Sequence, residues 1–255
     1  MLQAEQIQSN WDKHLKIVNA YIGERKDSVL KMLEHMSETY IMAPASGKSW
    51  HHNAFAGGYV DHVNRVVQYA LKQHNLYKEM GGTVDYTEEE LVFSALHHDL
   101  GKVGDLEHEY YLPQEDDWRR KKLNEWFTQN DEMAFMSVTD RALFLLQHFD
   151  IKVNHNEFMS IKCSDGMYDD ANIQYFKTYK PENAFESALP YIIHWADHIA
   201  TVTEKSQWKH QEDVKTQKVN KSVGNIKQAV KTEVETKLTG DSPKDLFDEL
   251  FGEKK

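Results

Sequence analysis

Apolar residues recur at intervals of three and four along most of this 255-residue chain, and this spacing constrains its fold more than any other feature. Only five prolines and 12 glycines interrupt the pattern. Strand-like alternation is confined to short pieces near residues 108–113. The sequence therefore predicts an all-α fold. Helices are expected over residues 10–40 (one or two helices), 60–79, 87–100, 117–129, 139–149 and 184–206, with turns at 150–156 and 164–173.

The C-terminal part differs from the rest. Residues 211–239 predict a polar helix whose few apolar residues are three or four positions apart, and Gly240 and Pro243 separate it from the last residues. With 40% hydrophobic residues the preceding chain can bury a core. We expect one domain over residues 1–210, a helical extension over 211–239 and a flexible acidic-aromatic tail over 240–255.

The formal charge of −11 argues against broad attraction to nucleic acid, whose affinity depends on phosphate neutralisation. A small polyanionic substrate stays compatible with this charge, because a bound metal and a few cations reverse the local field. The single cysteine, Cys163, excludes an internal disulfide and fits a reducing compartment. No basic leader and no run of 18 apolar residues is present. These features predict a cytoplasmic protein without a membrane span.

The segment Ala95-Leu-His-His-Asp-Leu-Gly-Lys102 places adjacent His98 and Asp99 in an apolar run. An imidazole and a carboxylate are costly to bury unless they are hydrogen-bonded, paired or bound to a metal. Mixed nitrogen and oxygen donors suit divalent Mn, Fe, Ni, Zn or Mg, and imidazole favours the transition metals. The alternative is a helix with a surface aspartate and a hydrogen-bonded histidine, so the metal interpretation depends on further donors.

Two further donors occur in predicted helices. His62 begins a helical pattern directly after Gly57-Gly58, a pair that implies close packing, although the histidine alone could face solvent. Asp197 lies in an apolar segment, residues 188–202, whose only candidate cations are histidines, which favours a metal over a buried pairing with arginine. Helical bundles build metal sites from side chains on facing helices. We therefore expect a metal held by His62, His98, Asp99 and Asp197.

This order of residues, with Leu-Gly-Lys after the central pair, resembles the HD superfamily of metal-dependent phosphohydrolases. Ala43-Pro-Ala, Trp50-His-His, Gly57-Gly58 and Asp99-Leu-Gly-Lys-Val103 are similar to the HD domain of YhaM-type 3′–5′ exoribonucleases. The likeness covers about residues 40–205 in motif order. It implies an HD-type helical bundle, the same four metal ligands, and Lys102 as a cation facing phosphate. It departs from the family at Cys163-Ser-Asp-Gly166, where YhaM-type domains carry Ser-His-His-Gly, so the resemblance leaves open a second metal or a histidine-assisted step.

Other residues keep two interpretations. Lys102 either faces phosphate or interacts with the carbonyl groups at a helix C-terminus. Of His51 and His52, one is expected to reach the site as a substrate-binding or acid group, while both could be loop surface residues. His148 follows an apolar helical segment and is either structural or an auxiliary group at the site. Asp99 is the candidate to orient the attacking water or accept its proton.

The tail combines apolar and acidic residues at the extreme end of the chain. Its large apolar side chains are Leu246, Phe247, Leu250 and Phe251. Exposed apolar surface of this kind favours a covering partner. The tail is similar to the C-terminal peptides with which bacterial and phage replication proteins bind the sliding clamp. The alternative is that it folds back on its own domain.

The functional prediction is hydrolysis of a phosphate ester, preferentially of a small nucleotide, by a metal-activated water. The acidic charge, and an N-terminal segment too short for the OB-like module of YhaM-type enzymes, favour a small substrate over long RNA. Two alternatives remain. One is a 3′–5′ exonuclease or phosphodiesterase acting on short oligonucleotides. The other is a non-catalytic, nucleotide-binding regulator that acts through its C-terminal tail.

Overall fold

The structure, a computed structural model, describes residues 2–178 and 180–210. The described residues form an all-α fold with one two-stranded antiparallel sheet, which confirms the predicted fold class. The α-helices are α1 (Ala4–Tyr21), α2 (Lys26–His35), α3 (Ser37–Met42), α4 (Gly58–Glu79), α5 (Glu88–His97), α6 (Asp117–Leu123), α7 (Val138–His148), α8 (His155–Lys162), α9 (Ile173–Phe176) and α10 (Leu189–His210). The predicted helix at 211–239 and the tail with Leu246, Phe247, Leu250 and Phe251 lie outside the described residues.

Local capping explains where two of these helices begin. Thr87 opens α5 with a capping box, in which its hydroxyl accepts from the Glu90 N–H at 3.1 Å and the Glu90 carboxylate accepts from the Thr87 N–H at 2.6 Å. Asn154 and Glu157 make the same reciprocal pair at the start of α8. Helix α8 lies outside the predicted helices, although Asn154 and Glu157 carry the same capping signal in the sequence.

The predicted helix over 117–129 is wrong in its second half. Asn124 adopts a left-handed conformation with φ of 45° and caps α6 at Leu123. Asparagine tolerates this region because its short side chain bonds locally. The chain then forms strand β2 (Phe127–Gln129), which pairs antiparallel with β1 (Tyr111–Pro113). The strand-like alternation near 108–113 therefore corresponds to β1, one of the two strands of this small sheet.

The centre of the molecule is built from α4, α5 and α10, the helices that carry the predicted metal donors. Each turns an apolar face inward, and these faces merge into one core that also includes residues of α1, α2, α3, α7 and α8. The fully or nearly fully buried positions on the three central helices include Val63, Val66, Val67, Ala70, Leu91, Val92, Ala95, Leu96, Ile192, Ile193, Ala196 and Ala200. Rigid, packed helices therefore position the donors.

The glycine pair before α4 permits the close packing that the sequence predicts. Gly57 has a φ of 78°, in the left-handed region that glycine adopts without steric cost. A Cβ atom on Gly58 would lie 2.1 Å from the carbonyl oxygen of Asn53. The loop before α4 therefore folds tightly against the helix start, one turn before His62.

None of the helices in residues 2–178 and 180–210 is both long and apolar enough to span a membrane.

Candidate metal centre

The four predicted donors converge in the structure. His62 Nε2 lies 3.1 Å from Asp197 Oδ1 and 3.7 Å from Asp99 Oδ2. His98 Nε2 lies 3.5 Å from Asp99 Oδ2 and 3.7 Å from Asp197 Oδ1. Both imidazoles and the Asp99 carboxylate are buried, while the Asp197 side chain is 19% exposed. Three helical segments distant in sequence thus deliver two nitrogens and two carboxylates to one point.

A break in the helix brings His98 and Asp99 to the same centre. The sequence analysis extended this helix to residue 100, but α5 ends at His97 and a one-turn 3-10 helix (Leu100–Lys102) follows. Successive residues of a continuous α-helix point about 100° apart. Asp99, with φ of −109° and ψ of 12°, leaves the helical conformation, so that its carboxylate and the preceding imidazole both face the cluster.

Both imidazoles are oriented by a hydrogen bond on the opposite ring nitrogen. His98 Nδ1 lies 2.8 Å from the carbonyl oxygen of Ala95, and His62 Nδ1 lies 3.1 and 3.2 Å from the two oxygens of Glu204. With Nδ1 donating, Nε2 is the nitrogen that offers a lone pair once its proton is displaced, the arrangement typical of metal-bound histidine. Both Nε2 atoms are buried and have no hydrogen-bond partner among the described residues.

The electrostatics of the cluster require positive charge between the donors. Burial lowers the pKa of His62, but Glu204 and Asp197 outweigh it and raise that pKa to about 10. Burial also lowers the pKa of His98, but the charges of Asp99 and Asp197 outweigh burial and raise that pKa. The two imidazoles hold the pKa of the Asp197 carboxyl well below its usual value despite its burial. Lys102 compensates part of the carboxylate charge at Asp99, and the two imidazoles compensate the rest as long as they are protonated. A divalent metal would take the place of those protons.

Metal affinity is expected to rise with pH between about pH 6 and pH 8. Because the pKa of His62 is raised to about 10, its imidazole carries an extra proton throughout this range, and a metal must displace it. Each displaced proton raises the apparent affinity about tenfold per pH unit. Competition with a chromophoric chelator at several pH values measures the slope, with the chelator's own titration corrected. An affinity independent of pH would contradict the expectation.

Lys102 lies at the cluster. Its ammonium is 2.6 Å from Asp99 Oδ2, the same oxygen that faces both histidines, and its side chain is 17% exposed. Burial lowers the pKa of Lys102, but Asp99, Tyr111 and Asp197 outweigh this and raise it, so the group stays charged. Lys102 also ends the 3-10 helix, so both sequence interpretations keep a structural basis. Because of its contact with Asp99, Lys102 belongs to the cluster under both interpretations.

The structure separates His51 from His52. His52 is buried against His62, with ring centroids 4.7 Å apart, and neither of its ring nitrogens has a hydrogen-bond partner among the described residues. Burial, His62 and Lys102 lower its pKa, so the ring is neutral. His51 is exposed, and burial of part of its ring, then Lys48, Lys205 and Lys102, lower its pKa. His52 therefore belongs to the cluster, and His51 lies on a lysine-rich rim.

His148 is not brought to the cluster. It is exposed at the end of α7, where its ring contacts are with Phe144 and Phe149. Neither phenylalanine has a ring contact with a cluster residue in the described chain. These contacts fit the interpretation of His148 as a structural residue and not as an auxiliary group at the site.

The segment Cys163-Ser-Asp-Gly166 packs against α10, one turn before Asp197. His194 Nδ1 lies 2.8 Å from the carbonyl oxygen of Ser164, and a Cβ atom on Gly166, whose φ is 56°, would meet the His194 ring at 2.2 Å. Burial and then the charge of Asp99 raise the pKa of the Asp165 carboxyl. The segment that departs from the YhaM-type pattern therefore borders the cluster.

Two residues near the cluster were missed by the sequence analysis. Glu204 is fully buried behind His62, and Arg65 donates from Nε to Glu204 Oε1 at 3.0 Å. A signal was present, because Glu204 follows Asp197 by seven residues and Arg65 follows His62 by three. Helical spacing places each on the face of the donor that precedes it.

Comparison with protein-family models finds no match, and neither the curated proteins nor the solved structures contain a match to this chain. The HD-type resemblance therefore stays a prediction that rests on the quoted motifs. Geometry provides an independent argument for a metal. His62, His98 and Asp99 offer ligand atoms that all lie within 4.8 Å of one another, and His52, His62 and Glu204 form a second such group.

Proposed function

We propose that this protein is a metal-dependent phosphohydrolase of the HD type that hydrolyses a phosphate ester, preferentially of a nucleotide. One observation supports the proposal above all others. Two buried imidazole nitrogens, each with its other ring nitrogen already hydrogen-bonded, face two carboxylates at 3.1 to 3.7 Å, and neither nitrogen has a hydrogen-bond partner in the described chain. This donor set suits divalent Mn, Fe, Ni or Zn, and Mg less well because it prefers oxygen ligands.

Under this proposal the four donors are His62, His98, Asp99 and Asp197. A divalent cation held by them would supply a Lewis acid, which would lower the pKa of a water molecule and polarise a phosphoryl oxygen. One oxygen of Asp99 faces Lys102 and both histidines, and this contact supports the proposal that its carboxylate orients the attacking water or accepts its proton. The charged Lys102 would stabilise negative charge that develops on the phosphoryl group.

His52 is assigned to the substrate in this mechanism. It is neutral and buried, with both ring nitrogens unpartnered among the described residues, so one nitrogen can donate to a phosphate or leaving-group oxygen. Lys48, Lys205 and Lys102 lie close enough to His51 to lower its pKa, so the positive charge of this rim comes from the lysines, in a chain whose net charge is −11. Such a rim favours an anionic substrate with charge beyond the scissile phosphate.

The rim also favours the second candidate, cleavage of short oligonucleotides from the 3′ end. A mononucleotide places one phosphate group at the metal, whereas an oligonucleotide carries further phosphates that Lys48 and Lys205 could contact. The same argument applies to a nucleotide with several phosphates. A nucleotide-binding regulator without turnover needs no water-activating centre, so the donor set does not favour it.

Metal-loaded protein should be screened against nucleoside mono-, di- and triphosphates, cyclic nucleotides and short oligonucleotides. We expect metal-dependent release of phosphate or nucleotide that chelation abolishes. The matched control is Asp197→Asn, which keeps size and polarity but removes a donor charge. Binding of nucleotide without turnover by any tested metal form would support the regulator instead. Equal turnover by Asp197→Asn would show that a contaminant is responsible.

A further inference from the structure

Behind His62, on the ring edge away from Asp99 and Asp197, lies the carboxylate of Glu204. Its two oxygens are 3.1 and 3.2 Å from His62 Nδ1, and its side chain is fully buried. Glu204 stands seven residues, about two helical turns, after Asp197 on α10. One helix therefore supplies a proposed metal ligand and also the acceptor that orients another ligand.

Arg65 shares this carboxylate with the imidazole. Its Nε atom donates to Glu204 Oε1 at 3.0 Å, and its NH2 group lies 3.3 Å from Asp61 Oδ2. Asp61 in turn accepts from the side-chain amides of Asn10 and Asn53 at 3.0 and 2.9 Å. These contacts hold the guanidinium in place, so Glu204 is bonded on one side by Arg65 and on the other by His62.

We propose that Glu204 and Arg65 set the metal affinity of the centre in opposite directions, through the ring of His62. A carboxylate that accepts from the distal ring nitrogen fixes the tautomer and makes the imidazole a better donor. A cation bonded to the same carboxylate draws its charge away from the ring and reduces this effect. The inference rests on the proposed metal function and assigns both residues as positioning residues that do not contact the metal.

The charge of Glu204 is tested by Glu204→Gln. The glutamine carbonyl can still accept from His62 Nδ1, so the ring keeps its orientation while the negative charge is lost. Loss of such a partner lowers metal affinity about 10- to 100-fold in related sites, and we expect the same here.

Arg65→Gln is expected to act in the opposite direction. Removing the guanidinium leaves His62 as the partner that carries the full effect of the Glu204 charge, so the imidazole becomes a better donor to a metal. The side chain of Arg65 is 23% exposed, so solvent weakens its effect. We expect metal affinity to rise about two- to fivefold, the size of a partly exposed ion pair. A residue that only supports the fold would lower affinity instead.

The chain offers a matched control in a second buried pair. Arg25 NH2 lies 2.7 Å from Glu157 Oε1, and the Glu157 side chain is fully buried. The pair joins α8 to the start of α2 and includes no cluster residue. Glu157→Gln should therefore lower the thermal unfolding temperature while metal affinity stays within about twofold of the unmodified protein.

Zinc affinity from chelator competition and the visible spectrum of the Co²⁺ form are the measurements, with thermal unfolding of the metal-free proteins alongside. Affinity of Glu204→Gln within twofold of the unmodified protein overturns the inference, as does a loss of affinity in Arg65→Gln. If Glu204→Gln does not fold, the sign of the Arg65→Gln effect decides alone. If the unmodified protein binds no divalent metal, the proposed function fails too. If the unmodified protein binds metal and Asp99→Ala does not, the metal centre is supported, and the Glu204 and Arg65 variants then test this inference alone.

Discussion

Replacing either Asp99 or His62 by alanine is expected to abolish stoichiometric binding of a divalent metal. Each change removes one of the four proposed donors, and the three that remain hold the ion much more weakly. We expect affinity to fall by more than about 100-fold, beyond the effect of removing an outer-shell partner. Metal content after desalting and chelator competition measure the loss, and phosphatase or nuclease turnover should disappear with it.

The control for these variants is His148→Ala, which removes a histidine that lies on the exposed end of α7. It should keep full metal content. Circular dichroism and thermal unfolding are needed beside it, because His62→Ala also leaves the buried Glu204 without one partner. Full metal in both Asp99→Ala and His62→Ala would end the assignment of this cluster as a metal centre.

The second large effect is expected from Lys102→Ala. We expect turnover to fall by about 10²- to 10³-fold, the usual cost of removing one group that stabilises transition-state charge. Metal content should stay close to one ion per chain, because the ammonium is not a ligand. Its 2.6 Å contact with Asp99 adds a condition. Once the lysine is absent, Asp99 is free of a competing cation, so metal affinity should not decrease.

The variant Lys102→Arg distinguishes the effect of the positive charge from the effect of the side-chain geometry. It keeps a positive group near Asp99 but presents a planar, wider donor set. Turnover between that of the alanine variant and the unmodified protein is expected. Unchanged turnover in Lys102→Ala, with the metal site occupied, would instead identify Lys102 as a cation that only stabilises the end of the 3-10 helix.

Local sequence determined much of the fold. The three- and four-residue spacing of apolar side chains predicted the central helices, and Thr87 with Glu90 marked the start of α5. These signals are readable because helix periodicity and capping involve residues at most a few positions apart. Asn124, whose positive φ ends α6, carries a weaker local signal. It was not recognised, and the predicted helix ran on into β2.

The sequence also singled out the four residues that converge at the centre of the cluster. The predicted donors are His62, His98, Asp99 and Asp197. They stand out because ionisable residues are rare in apolar helical segments unless they are paired. What the sequence left undecided was geometry between distant segments. Pairing of β1 with β2 joins residues 14 to 18 positions apart across an intervening helix, and its register depends on tertiary packing.

Only the tertiary structure decided the roles of the surrounding groups. His51 and His52 are neighbours in sequence, yet one is exposed and the other is buried against His62, because the loop before α4 folds tightly at Gly57-Gly58. Glu204 resembles any other glutamate of a long helix until α4 places His62 against it. Burial and the direction of a hydrogen bond depend on which elements pack together. The four residues that converge were therefore predictable from sequence, whereas the buried groups that contact them depended on tertiary packing.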